Sequence, residues 1–208
     1  MIPVKVLAVR YLAGVSPALC QALGAPEQYR CLGLLTTDSD DATYIALDEA
    51  TKAADVKVSY SRSFYAGAAN ASTPYAGEVI GILAGATPGI VQSGMEEALS
   101  CLQRVGFQEE NEVPYLAHTV SRCGSFLAAE AGVTEGSSLA YLIAPPLESM
   151  YAMDAALKAA DVKLCKLYTP PSETNFGGGL LTGTQSACEA ACGAFAQAVA
   201  DVAVRPIE

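Results

Sequence analysis

Apolar and polar positions along the chain form short runs that predict a repeated series of strands and helices. The apolar runs CLGLL at 31–35 and SLAYLIA at 138–144 have strand length, and a polar or proline-containing turn follows each. Each turn leads into a stretch with the spacing of an amphipathic helix, and both helices run into the string KAADVK. That string occurs at 52–57 and again at 158–163, so the two helices lie half a chain apart.

The elements on either side of KAADVK also recur. Downstream, VKVSYSRSFY and VKLCKLYTP alternate like strands, and a loop, a second strand and a closing helix follow each of them. Upstream, VLAVRYLAGVSPALCQALG and YLAHTVSRCGSFLAAEAG both predict a strand, a turn and a short helix ending in glycine, at Gly24 and Gly132. We therefore predict a tandem duplication, with one domain at 1–105 and a second at 106–208. Because each mixes strands with helices that have one apolar face, the predicted fold class is α/β, an α+β sandwich in which helices cover a sheet.

Net charge and hydrophobicity limit the kinds of molecule and surface that the protein is expected to bind. The 208-residue chain carries a formal net charge of −10, which argues against nucleic acid and against acidic membrane surfaces and is compatible with small cationic molecules. Its most apolar window, VIGILAGATPGIV, is broken by Gly and Pro and is shorter than the roughly 20 residues that a membrane span needs. The first residues lack a basic patch ahead of a clean apolar run, so we expect no targeting signal.

The reactive residue types form no catalytic or metal-binding motif. The seven cysteines are odd in number and lack C-x-x-C spacing, and His118 is the only histidine, so we predict reduced cysteines, no metal and no cofactor. The chain contains neither G-x-S-x-G nor a Walker-type motif, and no catalytic residue is predicted. Asp41 and Glu78 could in principle do acid–base work as an enzyme acting on a small amine, but no nucleophile accompanies them.

The segments ALDEATKAADVKVS and GEVIGILAGATPGIVQSGMEEA resemble the bacterial microcompartment (BMC) shell domain. Both halves of the chain match it, and the strand and helix ahead of each shared helix resemble the circularly permuted form of that domain. A tandem permuted pair with long loops is similar to the EutL family of the ethanolamine-utilisation microcompartment, from about Val4 to Pro206. The resemblance implies two tandem permuted BMC domains and a non-enzymatic structural protein in the shell of this cytoplasmic polyhedral organelle.

The resemblance further implies a homotrimer. Two units in each of three chains give six units around an axis, which imitate a hexagonal tile that packs against other shell proteins. Lys52 and Lys158 match the lysine that the family places at the tile edge. A local alternative stays open, because Asp48–Lys52 and Asp154–Lys158 are both i,i+4 pairs on a helix face expected to be exposed, each contributing about 0.3–0.5 kcal/mol.

The long connections between the two middle strands of each half fall where the family keeps its pore. Small residues in the first connection permit backbone rearrangement, and aromatic residues could close the opening, so we predict a gated pore for small molecules. The alternative is a surface loop without a role. The predicted pore residues are Tyr65, Gly67, Asn70, Ser72, Tyr75, Thr174, Asn175 and Phe176.

An ethanolamine site near the junction of the two halves is also implied by the resemblance. Two carboxylates would hold the ammonium group, a hydroxyl would serve the alcohol, and an aromatic ring would add a cation–π attraction of about 0.5–2 kcal/mol. The implied residues are Asp41, Glu78, Phe107 and Thr174. A bound amine could bias the gate only through different affinities for its open and closed states.

Two simpler interpretations accompany this prediction. Asp41 could cap a helix that begins near Thr43, a role that Asp38 and Asp40 could share. The whole protein could be a soluble regulatory module that binds a small amine, in which case we expect a stable monomer.

Overall fold

A computed structural model gives the fold of the chain. It describes residues 1–63, 78–170, 172 and 174–207. The chain divides into two compact units, which are named here by the halves that they mainly contain. The N-terminal unit consists of Val4–Val105 with Gly124–Leu127, and the C-terminal unit consists of Met1–Pro3, Gly106–Cys123 and Ala128–Glu208.

The N-terminal unit is built on a four-stranded antiparallel sheet in the order β1-β2-β4-β3. Helices α2 and α3 pack against each other and against this sheet. Leu47 of α2 and Met95 of α3 are fully buried, as is Leu83 of β4. The elements are β1 (Val6–Leu12), α1 (Pro17–Ala22), β2 (Cys31–Thr37), α2 (Asp40–Ala53), β3 (Val56–Ser63), β4 (Val79–Gly85) and α3 (Pro88–Leu102).

The second half of the chain repeats this series after one added strand. Its sheet has the order β5-β6-β7-β9-β8, so β6, β7, β9 and β8 stand where β1, β2, β4 and β3 stand in the first sheet. The repeated elements that the sequence predicts are therefore confirmed. The elements are β5 (Gln108–Glu110), β6 (Val113–Val120), α4 (Ser125–Ala131), β7 (Ser138–Ala144), α5 (Pro146–Ala159), β8 (Val162–Tyr168), β9 (Gly177–Gly183) and α6 (Gln185–Val204).

Local sequence explains where several helices begin and end. The hydroxyls of Thr87 and Thr184 accept hydrogen bonds from backbone N–H groups three residues later, which caps α3 and α6. The glycines predicted to end α1 and α4 have left-handed backbones, with φ of 69° at Gly24 and 66° at Gly132. Glycine adopts this conformation without a steric cost, so it ends a helix readily.

The hairpin of β5 and β6 is an element that the sequence analysis missed. Glu110 pairs with Val113, and the two residues between them have positive φ, 46° at Asn111 and 65° at Glu112. Two positive φ values are the mark of a type I′ turn, which usually carries Asn-Gly. Glutamate in place of glycine hid the signal in the sequence.

Helix α6 is the one described helix that is long and apolar enough to cross a membrane by length and composition. Its residues Cys188, Phe195 and Val199 are nevertheless packed in the core of the C-terminal unit, where they meet Leu142 and Leu181 of the sheet. This packing is that of the core helix of a globular unit.

Candidate functional site

The first turn of α2 carries two adjacent buried carboxyl groups, those of Asp40 and Asp41. The helix begins at Asp40 and its N-cap position is Ser39, so Asp41 lies inside the first turn and does not occupy the cap position. Asp40 accepts a hydrogen bond from the backbone N–H of Asp41 at 2.9 Å. Asp38 has another role. Its carboxylate accepts a hydrogen bond from the backbone N–H of Lys5 at 2.7 Å, which holds the residue before β1 in place.

A chain of hydroxyl groups leads to Asp40. The Ser63 hydroxyl donates to the Asp40 carboxylate, and the Tyr44 hydroxyl lies 2.5 Å from the Ser63 oxygen, which orients Tyr44 as the donor to Ser63. Burial raises the pKa of Asp40 to about 6, while the hydrogen bonds from Ser63 and Asp41 favour the charged form and oppose the rise. A cation placed nearby would stabilise the charged carboxylate in the same way.

Glu78 lies at the same end of the sheet as Asp40. It is half-buried and directly precedes Val79, the first residue of β4, which pairs with Ser63 of β3. Because Ser63 donates to Asp40, the fold of the N-terminal unit brings Glu78 and the acidic first turn of α2 to one edge. The two carboxylates predicted from the sequence thus belong to one region of one unit.

Phe107 and Thr174 come together in the C-terminal unit through Phe176. The rings of Phe107 and Phe176 lie with centroids 5.7 Å apart, and the Thr174 hydroxyl accepts the backbone N–H of Phe176 at 3.3 Å. All three residues are buried. The predicted aromatic ring and hydroxyl are therefore parts of one packed cluster.

The predicted pore residues are described only in part. Tyr65, Gly67, Asn70, Ser72 and Tyr75 fall in 64–77, outside the described residues.

The second connection, between β8 and β9, is described at three of the predicted pore positions. Asn175 is exposed there, whereas Thr174 and Phe176 are buried.

The two predicted edge lysines have different surroundings. Lys158 is exposed and pairs with the exposed Asp154 at 2.5 Å, as the sequence predicts. The Lys52 ammonium contacts Glu49 and lies 3.8 Å from a carboxylate oxygen of Asp48. The prediction of an exposed pair is wrong at Asp48, whose side chain is fully buried.

Asp48 is buried because its carboxylate binds the backbone at the start of α4. It accepts the N–H of Gly124 at 2.7 Å and that of Leu127 at 2.8 Å, while the hydroxyl of Thr51 accepts the N–H of Ser125 at 3.1 Å. All of these groups belong to the N-terminal unit. Burial raises the pKa of Asp48, and the two N–H donors oppose that rise.

The sequence contained one signal for this arrangement. Aligning the two halves places Gly124 opposite Ser16, whose own hydroxyl accepts the N–H of Leu19 at 3.3 Å and caps α1. Glycine has no side chain with which to cap α4, and Asp48 supplies the missing acceptor. A Cβ at Gly124 would lie 2.3 Å from the Thr51 hydroxyl oxygen, so only glycine allows this close approach.

The described residues contain no group of three or more His, Cys, Asp or Glu side chains that could hold a metal ion. Six of the seven cysteines are buried. Burial raises the pKa of Cys192 to about 11 and that of Cys101 to about 12, so both remain protonated thiols at neutral pH.

Comparison with protein families finds the BMC domain, whose profile matches residues 31–114. The match begins at the first residue of β2 and ends in β6. It therefore leaves out β1 and α1, as expected if those elements are permuted to the front of the domain.

Curated relatives match nearly the whole chain. The bacterial microcompartment shell protein EutL of Clostridium perfringens is 57% identical over 207 residues, which are 98% of this chain and 95% of the relative. The protein of the same name from Escherichia coli is 49% identical over 208 residues, again 98% of this chain and 95% of the relative.

Solved structures agree with the sequence matches. The crystal structure of EutL from Clostridium perfringens is 56% identical, with a TM-score of 0.93 over 99% of this chain and 96% of that one. The ethanolamine utilization protein EutL from Leptotrichia buccalis is also 56% identical, with a TM-score of 0.94 over 100% of this chain and 97% of that one. The trimeric microcompartment shell protein PduB shares the fold at 19% identity, with a TM-score of 0.82 over 96% of this chain and 89% of that one.

Proposed function

Since this chain belongs to the EutL family of bacterial microcompartment shell proteins, we propose that three copies form a tile in the shell of an ethanolamine-utilisation microcompartment. The observation that carries the proposal is the repeated sheet order of the two halves. Two similar units in each of three chains make six, and a ring of six similar units approximates a hexagon that can tile a plane. This role is structural, and the proposal assigns no catalytic residue.

The native mass of the purified protein tests the trimer. We expect a species near three times 21.4 kDa by light scattering, unchanged over a tenfold dilution. A stable monomer at every concentration would contradict the tile and favour the amine-binding regulatory module.

We propose that the connections between β3 and β4 and between β8 and β9 line a gated central pore. Support comes from their equivalent places in the repeat and from the small residues of the first connection. Deleting residues 67–72 should raise the passage of a small solute through shells that contain the protein, without lowering the melting temperature. A variant that melts well below the parent would instead assign the segment a structural role.

We propose that the four residues implied by the family resemblance bind ethanolamine. Asp41 and Glu78 would hold the ammonium group, Phe107 would offer its ring, and Thr174 its hydroxyl. Support comes from the acidic edge of the N-terminal unit, where burial raises the pKa of Asp40 to about 6. A bound ammonium ion would relieve that desolvation cost, and an uncharged analogue would not.

We propose that Lys158 lies at the tile edge and meets neighbouring shell proteins. Its side chain is 74% exposed, and its partner Asp154 is exposed as well. Lys52 is the equivalent residue in the other half, but its contacts with Asp48 and Glu49 give it an additional role in its own unit.

A further inference from the structure

Residues 1–3 are part of the C-terminal unit, although Val4 and the strand that follows it belong to the N-terminal unit. The backbone N–H of Ile2 donates a hydrogen bond to the carbonyl oxygen of Phe107 at 2.6 Å. Pro3 favours an extended backbone at the residue before it, and in that conformation the N–H of Ile2 points sideways, as it does in a strand. We call these three residues the 1–3 segment.

Gly106 allows the 1–3 segment to lie close to the chain at Phe107. A Cβ at Gly106 would lie 2.5 Å from the carbonyl oxygen of Ile2 and 3.4 Å from Cγ of Met1. The backbone of Gly106 does not have a positive φ, so the close approach, and not the backbone conformation, requires glycine here. The hydrogen bond and the missing side chain are two separate features of the sequence that seat the segment at the same place.

Phe107 connects the 1–3 segment to the residues of the proposed ethanolamine site that lie in the C-terminal unit. Its side chain is buried, and its ring centroid lies 5.7 Å from that of Phe176, whose backbone N–H donates to the Thr174 hydroxyl. The ladder of β5 with β6 begins at the next residue along the chain. The backbone at Phe107 is therefore held by that ladder on one side and by Ile2 through its carbonyl oxygen.

We propose that Ile2 is a positioning residue of the ethanolamine site, and that its backbone N–H fixes the Phe107 carbonyl and with it the direction of the Phe107 ring. This inference rests on the proposed ethanolamine site and adds to it a group that does not touch the ligand. A cation–π attraction requires the ammonium group over the face of the ring, within about 6 Å of its centroid. A change of the backbone at Phe107 that turns the ring away therefore weakens binding.

Removing the N–H of Ile2 tests the role of the hydrogen bond. Proline has no backbone N–H, so Ile2→Pro should raise the Kd of ethanolamine about threefold to tenfold in calorimetry. Ile2→Ala keeps the N–H and is the matched control, which should bind like the parent. An equal loss of affinity in both variants would assign the effect to the isoleucine side chain and overturn the inference.

Gly106→Ala displaces the 1–3 segment by another route. Its Cβ takes the space of the Ile2 carbonyl oxygen, so the Kd of ethanolamine should rise as it does in Ile2→Pro. Because both changes release the same segment, the double variant should bind no more weakly than either single variant. Gly193→Ala is the control, since nothing lies within 4 Å of a Cβ there, and its affinity should not change.

A double-mutant cycle with Phe107→Leu distinguishes positioning from general support of the fold. If Ile2 acts through the Phe107 ring, adding Ile2→Pro to Phe107→Leu should raise the Kd no further, whereas a second rise of the same size would overturn the inference.

The outcomes separate this inference from the proposed function. A parent that binds ethanolamine, with unchanged affinity in Ile2→Pro and Gly106→Ala, would overturn the role of Ile2 and leave the site intact. A parent that does not bind ethanolamine would overturn both.

Discussion

The carboxylate of Asp48 accepts the backbone N–H of Leu127 at 2.8 Å, across 79 positions of the chain. The same carboxylate accepts the N–H of Gly124, and the Thr51 hydroxyl accepts that of Ser125. Together the two side chains satisfy three N–H groups at the start of α4, where a helix leaves its first N–H groups without partners. A side chain of α2 thus performs the capping that α1 obtains from its own Ser16.

Replacing Asp48 by alanine should strongly destabilise the fold. The change leaves two buried N–H groups without acceptors, which costs about 2–4 kcal/mol in the free energy of unfolding. Urea denaturation at fixed protein concentration measures the loss. Glu49→Ala removes a partly exposed carboxylate from the same helix and is the control, with an expected change below about 0.5 kcal/mol. Equal effects of the two substitutions would contradict the capping role.

Replacing Gly124 by alanine should also be destabilising, for a steric reason. The added Cβ would lie 2.3 Å from the Thr51 hydroxyl oxygen and 2.7 Å from the carbonyl oxygen of Asp48, so α2 and the segment must move apart. Gly193→Ala is the matched control, since nothing lies within 4 Å of a Cβ there. Alanine inside α6 should stabilise the protein by about 0.5–1 kcal/mol. Thermal melting of the two variants should therefore shift in opposite directions.

Stability should depend on pH through Asp40. Burial raises the pKa of Asp40 from 3.8 to about 6, so the folded chain holds this proton more tightly than the unfolded chain. The free energy of unfolding therefore falls as pH rises from about 4 to about 6, by at most about 3 kcal/mol from this group, and stays level above that. The raised pKa of Asp48 contributes with the same sign.

Two variants isolate the Asp40 contribution in urea denaturation across this pH range. Asp40→Asn should remove its part of the slope, because asparagine does not titrate. Ser63→Ala removes a donor that favours the charged carboxylate, so the fall in stability should extend to higher pH. A slope identical to that of the parent in both variants would contradict the assignment.

Glu78→Gln should weaken the binding of ethanolamine. Loss of one carboxylate partner of the ammonium group should raise Kd about tenfold or more in calorimetry, corresponding to about 1.4 kcal/mol or more. Glu148→Gln, in the first turn of α5, is the control and should bind like the parent. Unchanged affinity in Glu78→Gln would remove Glu78 from the proposed site.

Lys158→Asp should leave a folded trimer that no longer assembles into sheets visible by electron microscopy. The lysine is exposed, so its loss has little effect on the fold, whereas a reversed charge at a tile edge prevents packing. Lys52→Ala is the suitable partner variant, because an aspartate there would lie beside the buried Asp48. Loss of the trimer itself in Lys158→Asp would contradict the edge assignment.

The sequence by itself determined the repeated series of elements and the class of the fold. Apolar spacing and turn residues determine local structure, so they predict strands and helices without knowledge of distant contacts. The two copies of KAADVK, with similar sequences on either side, identified the duplication. The ends of α1 and α4 at glycine were predictable for the same reason, since a left-handed backbone conformation needs no distant partner. The β5–β6 turn was missed although it is local, because Glu112 adopts a φ usually left to glycine.

Only the tertiary structure decided which of two similar residues is buried. Asp48 and Asp154 stand at the same place in the repeat, each four residues before its lysine, and the pattern predicts the same exposed pair for both. Asp48 is buried because Gly124 has no side chain to cap α4, and the start of α4 packs against α2 to use the Asp48 carboxylate instead. Gly124 lies 76 positions from Asp48 along the chain. Asp154 is bonded to no such segment among the residues that the structure describes, and its side chain stays exposed. Burial depends on which distant backbone arrives at a side chain, and periodicity along the sequence carries no information about that.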